Sequence, residues 1–204
     1  MEKDSSKKIL LSVLGVAILI VAVVGVSFAA FSYSRTGEEI NQITTGTISM
    51  LYTDDSNGIK ISDALPMDDE SGKALTGENN VFDFTVSATI SGTATINYAI
   101  TATKEVDSTL PDTAVKVYLT SASDATVDLA PTKVSALTKT VGGNSAGAPA
   151  DEYTLKTGTI SATGSTAYRL RMWIADDYAG DATAGITSQT YKLRVNVYGA
   201  AAAQ

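Results

Sequence analysis

Apolar and polar side chains alternate with a period of two along most of the chain that follows residue 46. The clearest alternation lies in six stretches, which are 48–52, 82–90, 96–100, 115–119, 168–174 and 191–198. Weaker examples lie at 58–62, 133–140 and 152–162. Alternation of this kind is typical of antiparallel strands that bury one face and expose the other.

Clusters of Gly, Asp, Asn, Ser and Pro separate these stretches and indicate turns. After residue 31 no segment keeps a helical period over three turns, and only residues 63–75 fit a short turn of helix. Ser91 and Gly92 predict a hairpin turn between the strands 82–90 and 96–100. About eight or nine short strands at this spacing predict an all-β fold, a two-sheet antiparallel sandwich of the jelly-roll or Ig-like type.

Residues 9–30 carry no charged side chain, and the polar segment before them holds Lys3, Lys7 and Lys8. An apolar run of about 22 residues is long enough to cross a bilayer as a helix. Basic residues ahead of such a run favour a cytoplasmic N-terminus. The sequence therefore predicts an N-terminal apolar export helix that precedes the β domain.

Two interpretations of this helix remain open. Ser27 and Ala29 are small residues two positions apart, and this spacing predicts a secretory signal peptide that is cut between Ala29 and Ala30. The alternative is an uncleaved helix that tethers the protein to the membrane. Both interpretations predict a secreted or cell-surface protein that meets the membrane only through this segment.

The predicted organisation of the chain has four parts. They are a signal peptide or anchor over 1–29, an extended segment over 30–46, a β-sandwich over 47–198 and a flexible tail over 199–204. Within the sandwich, the composition of residues 141–151 and 176–189 predicts two flexible loops.

The chain has no cysteine and no histidine, and its formal net charge is -7 at pH 7. Without cysteine there are no disulfides, thiolate zinc sites or cysteine nucleophiles, and without histidine there are no Ser-His-Asp triads or HExxH zinc sites. The acidic balance argues against nucleic acid as a partner, because phosphates repel it. A hydrolase built on two facing carboxylates is a distant third hypothesis, since no aromatic cluster marks a defined pair. We therefore expect neither an enzyme nor a cofactor.

Acidic loop residues provide weak calcium candidates. Residues 54–58 resemble the beginning of a calcium-binding loop, but the twelfth position is Leu65 instead of the required glutamate. A hairpin turn at Asn57 and Gly58 explains that stretch better. The remaining candidates are Asp68, Asp69, Glu70, Asp176 and Asp177. Carboxylates on exported domains are most often simply solvated, so no metal site is expected.

Four cations are candidates for an interface stripe. They are Arg169, Arg171, Lys192 and Arg194, which share the polar faces of two predicted strands. If these two strands are paired, the cations form one stripe on an otherwise acidic protein. Such a stripe is either a solvated face with cross-strand acidic partners or a contact surface for the acidic side of a neighbouring copy.

The segment after the proposed cleavage site is partly apolar and rich in strand-forming residues. Its members are Ala30, Phe31, Ser32, Tyr33, Ser34, Arg35 and Thr36. Such a segment can add a strand to the sheet edge of the next copy, which supplies backbone hydrogen bonds and covers an exposed edge. Head-to-tail contacts of this kind do not need to close, and they produce filaments. The alternative is that the segment pairs within its own domain.

Two short motifs resemble the TasA and camelysin family. Residues 25–32 resemble the junction at which a dedicated signal peptidase, SipW, cuts members of that family, with the cut after Ala29. Residues 41–48 (Asn-Gln-Ile-Thr-Thr-Gly-Thr-Ile) resemble the pattern N-x-h-x-x-G-T-h at the start of the family's first core strand. The order and spacing of the two motifs also agree.

The resemblance implies an exported, jelly-roll-like sandwich that, in fibre-forming members, assembles by donor-strand exchange. Carried over to this chain, residues 30–36 are the leading part of the donor strand, with Phe31 and Tyr33 as its inward anchors. Camelysin has been described as a metalloprotease, but this chain has no histidine and no zinc motif, so that activity is not carried over.

The leading hypothesis is a subunit of an extracellular filament or biofilm-type matrix fibre. Its expected partners are further copies of the same chain, added head to tail, and the signal peptidase during export. The alternative hypothesis is a secreted or membrane-tethered binding module whose loops 141–151 and 176–189 contact a glycan or a protein.

Overall fold

The computed structural model describes residues 33–36, 43–45, 48–54, 65–77, 80–91, 94–180 and 189–202. These ranges contain strands β1 (Tyr33–Thr36), β2 (Ile43–Thr45), β3 (Ile48–Asp54), β4 (Val81–Ile90), β5 (Ile96–Lys104), β6 (Val115–Ser121), β7 (Thr126–Lys133), β8 (Tyr153–Ile160), β9 (Gly164–Ile174) and β10 (Leu193–Ala201). They also contain a helix, α1 (Asp69–Lys73), and a 3-10 turn (Val134–Ala136). None of the helices in the described ranges is long and apolar enough to cross a membrane. The predicted export helix and the candidate strand 58–62 lie outside the described residues.

The ten strands form two antiparallel sheets, which confirms the predicted all-β fold. One sheet has four strands in the order β1-β10-β5-β8, and the other has six strands in the order β2-β3-β4-β9-β6-β7. The predicted strands 115–119 and 168–174 are β6 and β9, and the weaker candidate 152–162 is β8. The short turn of helix predicted within 63–75 is α1.

The two sheets share one apolar core. From the four-stranded sheet, β5 contributes Ile96 and Ile100 at alternate positions, and from the six-stranded sheet β6 contributes Val115, Val117 and Leu119. All five side chains are at most 2% exposed. Burying a side chain of this size contributes about 1.5–3 kcal/mol, so this shared core is the main source of stability.

The predicted hairpin between strands 82–90 and 96–100 is not formed. β4 pairs with β3 and β9 in the six-stranded sheet, whereas β5 pairs with β10 and β8 in the four-stranded sheet. The apolar faces of the two strands meet in the core instead, where Phe84 and Ile100 belong to the same cluster. Alternation shows which face of a strand is apolar, but it does not show which strand lies beside it.

β7 is a strand that the alternation pattern does not reveal. Its sequence is broken by Asp128 and Pro131, and most of its side chains are only half-buried. Proline and polar interruptions are tolerated at the edge of a sheet, which is where β7 lies. The weak candidate strand 133–140 instead holds the 3-10 turn and a single bridge between Lys139 and Tyr153.

Helix α1 is held by its cap and by close packing on β9. The Ser71 backbone N–H donates to Asp68 Oδ1 at 2.7 Å, so Asp68 caps the first turn. Gly72 is buried, and a Cβ built on it would lie 2.3 Å from the Trp173 ring. The absence of a side chain at position 72 therefore allows α1 to lie directly on Trp173.

We expect Gly72→Ala to lower the free energy of unfolding by about 1–3 kcal/mol, because the added methyl group has no space beside a rigid indole. Chemical denaturation monitored by Trp173 fluorescence measures the change. Gly164→Ala on β9 is the matched control, since a Cβ built there meets no atom within 4 Å. Equal stability of the two variants would show that α1 does not depend on this contact.

Candidate assembly surface at the β1 edge

The candidate donor segment includes an edge strand of the four-stranded sheet. β1 pairs with β10 in antiparallel register, and its two ends are the pairs Tyr33 with Gly199 and Thr36 with Asn196. The alternative in which this segment pairs within its own domain is thus the arrangement of the single chain. Ala30, Phe31 and Ser32, together with the cleavage-site residues Ser27 and Ala29, lie outside the described residues.

β10, the strand that receives β1, is buried on both faces. Val195 and Val197 point into the shared core. A Cβ built on Gly199 would lie 2.6 Å from Met50 Sδ, so the glycine allows the two sheets to approach closely at this point. A strand buried on both faces has backbone groups that need partners on both edges, and β1 supplies them on one edge.

The outer face of β10 is covered by residues 141–151. Tyr198 packs with Ala99, Ala146 and Ala148 in a second small apolar cluster, and all four residues are buried. The Tyr198 hydroxyl donates to Glu152 Oε1 at 2.8 Å. The loop therefore supports the strand against which β1 pairs.

This loop is more ordered than its composition predicts. The Asn144 side chain donates to the carbonyls of Val141 and Ala148, each at 2.7 Å, and accepts from the N–H groups of Ala146 and Ala148. The Thr140 hydroxyl also donates to the Pro149 carbonyl. Glycine and alanine in this stretch allow tight turns around Asn144, so the composition reflects close packing of backbone instead of flexibility.

Asn196 lies at one end of the β1–β10 pairing, opposite Thr36. Its side chain is fully buried, and its Nδ2 donates to the Thr103 hydroxyl at 2.8 Å. Its Oδ1 is buried and accepts no hydrogen bond from the described residues. A buried oxygen without a donor costs free energy, so the asparagine at position 196 lowers the stability of the folded chain.

The four candidate cations do not form one stripe. Arg169 and Arg171 lie on β9 of the six-stranded sheet, whereas Arg194 lies on β10 of the four-stranded sheet. Lys192 precedes β10 and pairs with Asp107, and Arg194 pairs with Glu105 at 2.8 Å. The stripe depended on direct pairing of the two strands, and the sandwich places them in different sheets.

Arg171 instead forms a buried ion pair that the sequence analysis missed. Its guanidinium donates to Asp124 Oδ1 and Oδ2, both at 2.9 Å, and to the Leu75 carbonyl at 2.8 Å. The Arg171 side chain is 4% exposed and the Asp124 side chain 37%. Arg171 holds the pKa of Asp124 well below its usual range, and the Thr120 hydroxyl and the charge of Arg169 act in the same direction.

Asp124 lies in a turn of unusual backbone conformation. Ala122, Ser123 and Asp124 have φ values of 51°, 56° and 69°, which is the left-handed region that residues other than glycine rarely occupy. The turn joins β6 to β7 and aims the Asp124 carboxylate at β9. The sequence signal for this site is an aspartate in the Ser- and Asp-containing stretch that follows the predicted strand 115–119.

The calcium candidates are arranged around lysines instead of a metal site. Asp69 and Asp176 both contact Lys116 Nζ, at 2.7 and 3.6 Å, and Asp177 pairs with Lys133 at 2.7 Å. Asp68 caps α1, and Glu70 is exposed. In the part of the chain that the structure describes, no three acidic side chains form a group that could hold a metal ion.

A second polar cluster, centred on Asp112, joins strands of the four-stranded sheet. Its carboxylate accepts hydrogen bonds from the Tyr153 and Tyr191 hydroxyls, the latter at 2.8 Å, and pairs with Lys104 at 3.0 Å. Burial, and then the hydrogen bond to Asp112, raises the pKa of Tyr153 to about 12. These contacts connect β5, β8 and the start of β10, so the cluster is structural.

The surface that the described residues form includes two open grooves. One, of about 310 Å³, lies between the 141–151 loop and strands β5 and β8, and its lining includes Asn97, Asn144 and Thr157. The other, of about 330 Å³, lies beside Asp83, Asp124 and Arg169.

Comparison of the chain with family models, with curated proteins and with solved structures found no match.

Proposed function

We propose that this protein is an exported structural subunit of an extracellular filament, and that its sandwich is of the jelly-roll type. In the filament, the strand that follows the export segment leaves its own sheet and pairs with β10 of the next copy. The proposal rests on one observation, which is that the candidate donor segment already occupies the edge of β10 as a four-residue strand.

The arrangement of β1 favours exchange between copies. β1 pairs with β10 on one side and has no partner strand on the other side among the described residues. Its sequence neighbour β2 belongs to the opposite sheet. A short terminal strand with a single neighbour is among the elements that open most readily. When β1 moves to the next copy, it can form the same backbone ladder there, so few hydrogen bonds are lost.

Proteolytic processing is the natural trigger for this exchange. A strand that is continuous with a membrane-held helix cannot reach the sheet of a neighbouring copy. Cleavage between Ala29 and Ala30 would free the segment 30–36 and restrict assembly to the outside of the cell. The resemblance of residues 25–32 to the SipW-dependent junction supports this order of events.

Negative-stain electron microscopy of a chain that begins at Ala30 tests the proposal. We expect filaments from residues 30–204 at rising concentration and monomers from residues 37–204, because the second chain lacks β1. Circular dichroism checks that both chains are folded, and a chain that lacks residues 203–204 controls for truncation as such. Filaments from the chain that begins at Gly37 would refute the role of β1.

The groove beside the 141–151 loop favours a second candidate function, a surface binding module. Its lining is uncharged and rich in amide and hydroxyl groups, including Asn97, Asn144 and Thr157. Such groups suit the hydroxyls of a glycan. If both chains remain monomeric, glycan-array binding with Asn97→Ala as the control variant becomes the informative measurement, because Asn97 lines the groove and Asn144 holds the loop.

A further inference from the structure

The edge strands β7 and β8 belong to different sheets and meet at one pair of charged side chains. β7 is the last strand of the six-stranded sheet, and β8 is the last strand of the four-stranded sheet. Between them, Lys156 Nζ contacts Asp128 Oδ1 directly. The Asp128 side chain is 5% exposed and the Lys156 side chain 22%.

Backbone irregularities bring both side chains to this position. Along β7, Leu129 pairs with Leu119 and Val127 pairs with Thr120, so Asp128 is the unpaired residue of a β-bulge. On β8, Lys156 lies opposite the buried Ile100, next to a second shift in register. Bulges redirect side chains, and opposed residues of an antiparallel pair share one face. Asp128 and Lys156 are therefore directed towards each other from the two sheets.

A simple ion pair does not account for all of this arrangement. Asp128 Oδ2 is buried and accepts no hydrogen bond from the described residues. A buried carboxylate with an unpaired oxygen carries a desolvation cost that one lysine does not repay. The Tyr168 ring lies 5.2 Å from Lys156 Nζ and adds an aromatic wall to the site.

We propose that Asp128 and Lys156 condense to an isopeptide bond that joins the two sheets covalently. Within the ion pair, one proton passes from Nζ to the carboxylate, which gives an amine and a carboxylic acid. The amine then attacks Cγ of Asp128, the Nζ–Cγ bond forms, and a second proton moves from nitrogen to the departing hydroxyl. The Cγ–OH bond breaks and one water molecule leaves, so atoms and charge balance without an oxidant or a cofactor.

The condensation removes the two buried charges of the ion pair. One carboxylate oxygen departs as water, so one fewer buried oxygen needs a hydrogen-bond donor. Burial, and then the hydrogen bond to Tyr98, raises the pKa of Tyr168, so this neighbouring phenol stays protonated and uncharged. An uncharged aromatic neighbour favours a neutral amide over an ion pair.

The bond would provide the covalent closure that a chain without cysteine cannot obtain from disulfides. It would close the side of the sandwich opposite to β1, because β8 and β1 are the two edges of the four-stranded sheet. It does not depend on the filament proposal, since it lies within one chain.

Intact-mass spectrometry of the denatured full chain tests the bond. We expect a mass that is lower by one water molecule than the sequence mass for the N-terminus found by peptide mapping. Tandem spectra should show a branched peptide in which residue 128 is joined to residue 156. A mass equal to the sequence mass, or a water loss located at any other residue, overturns the proposal. Asp128 and Lys156 would then be an inward-facing ion pair that hinders the edge strands β7 and β8 from pairing with other chains.

Two variants sharpen the result. Asp128→Asn should lose ammonia in place of water and reach the same final mass as the original protein, whereas Lys156→Arg should keep its full sequence mass. The exposed pair Lys133–Asp177 is the internal control, and its peptides should remain linear. If Asp128→Asn keeps its full sequence mass while circular dichroism shows that it is folded, this result counts against the condensation.

Discussion

A disulfide between β1 and β10 is expected to abolish filament formation completely and reversibly. Thr36 and Asn196 are directly opposite in the β1–β10 register. Opposed residues of an antiparallel pair have Cα atoms about 4.5–5.5 Å apart, which lies within the span of about 4.4–6.8 Å that a disulfide needs. In the double variant Thr36→Cys with Asn196→Cys, the oxidised chain 30–204 should remain monomeric, because β1 cannot leave its own sheet. Reduction should release β1 and restore filaments.

The absence of native cysteine makes this experiment clean, because the two new thiols are the only ones in the chain. Light scattering and electron microscopy before and after reduction provide the measurement, and thiol titration confirms the bond. The single variants Thr36→Cys and Asn196→Cys, both kept reduced, show whether either substitution blocks assembly by itself. If the oxidised double variant still forms filaments, strand exchange from β1 is excluded.

The strands of the core could be predicted from the sequence because their side chains obey one simple rule. In β5 and β6 every second residue is apolar and enters the core, and the alternation pattern predicted both strands. The edge strand β7 could not be predicted this way, since an edge strand is only half-buried and tolerates Asp128 and Pro131. The alternation of apolar and polar residues predicts a strand where one face of that strand is fully buried. It becomes too weak to predict a strand whose faces are only partly buried.

Side-chain partnerships across the two sheets could not be predicted for a different reason. The sequence placed Arg169 and Arg194 on polar strand faces, which was sufficient to name them as candidates. Their true partners, Asp83 and Glu105, depend on strand order, and strand order depends on how the connections cross between the sheets. The contact of Lys156 with Asp128 depends in addition on a bulge, which leaves no periodic trace.

Asp124→Asn is expected to lower the free energy of unfolding by about 3 kcal/mol. Removing one partner of a buried ion pair costs about 3–5 kcal/mol, and the low end applies because Asp124 itself is partly exposed and screened by solvent. The uncompensated charge is that of Arg171, whose side chain is 4% exposed. Asparagine is the suitable replacement, because it tolerates the left-handed backbone of this turn and changes little except the charge.

Urea denaturation at pH 7 measures the loss, and Asp83→Asn is the matched control. Asp83 pairs with Arg169, whose side chain is 35% exposed and which also contacts Asp124 at 3.3 Å. Removing an exposed partner of this kind costs about 0–1 kcal/mol. A similar loss of stability in both variants would show that the burial of Arg171 is not what makes the Asp124 pair important.

The same ion pair predicts how stability responds to acid. The pKa of Asp124 is lower in the folded protein than its ordinary value of 3.8, so the folded state binds this proton more weakly than the unfolded state. The contribution of Asp124 is therefore complete above the unfolded pKa and is lost as the pH falls through 3.8 towards the lowered folded value. Urea midpoints taken between neutral and strongly acidic pH should converge for the original protein and Asp124→Asn, because acid removes the same charge that the substitution removes. If the urea midpoints of the two proteins stay equally far apart at every pH, the stabilisation by Asp124 comes from its packing and hydrogen-bond geometry instead of its charge.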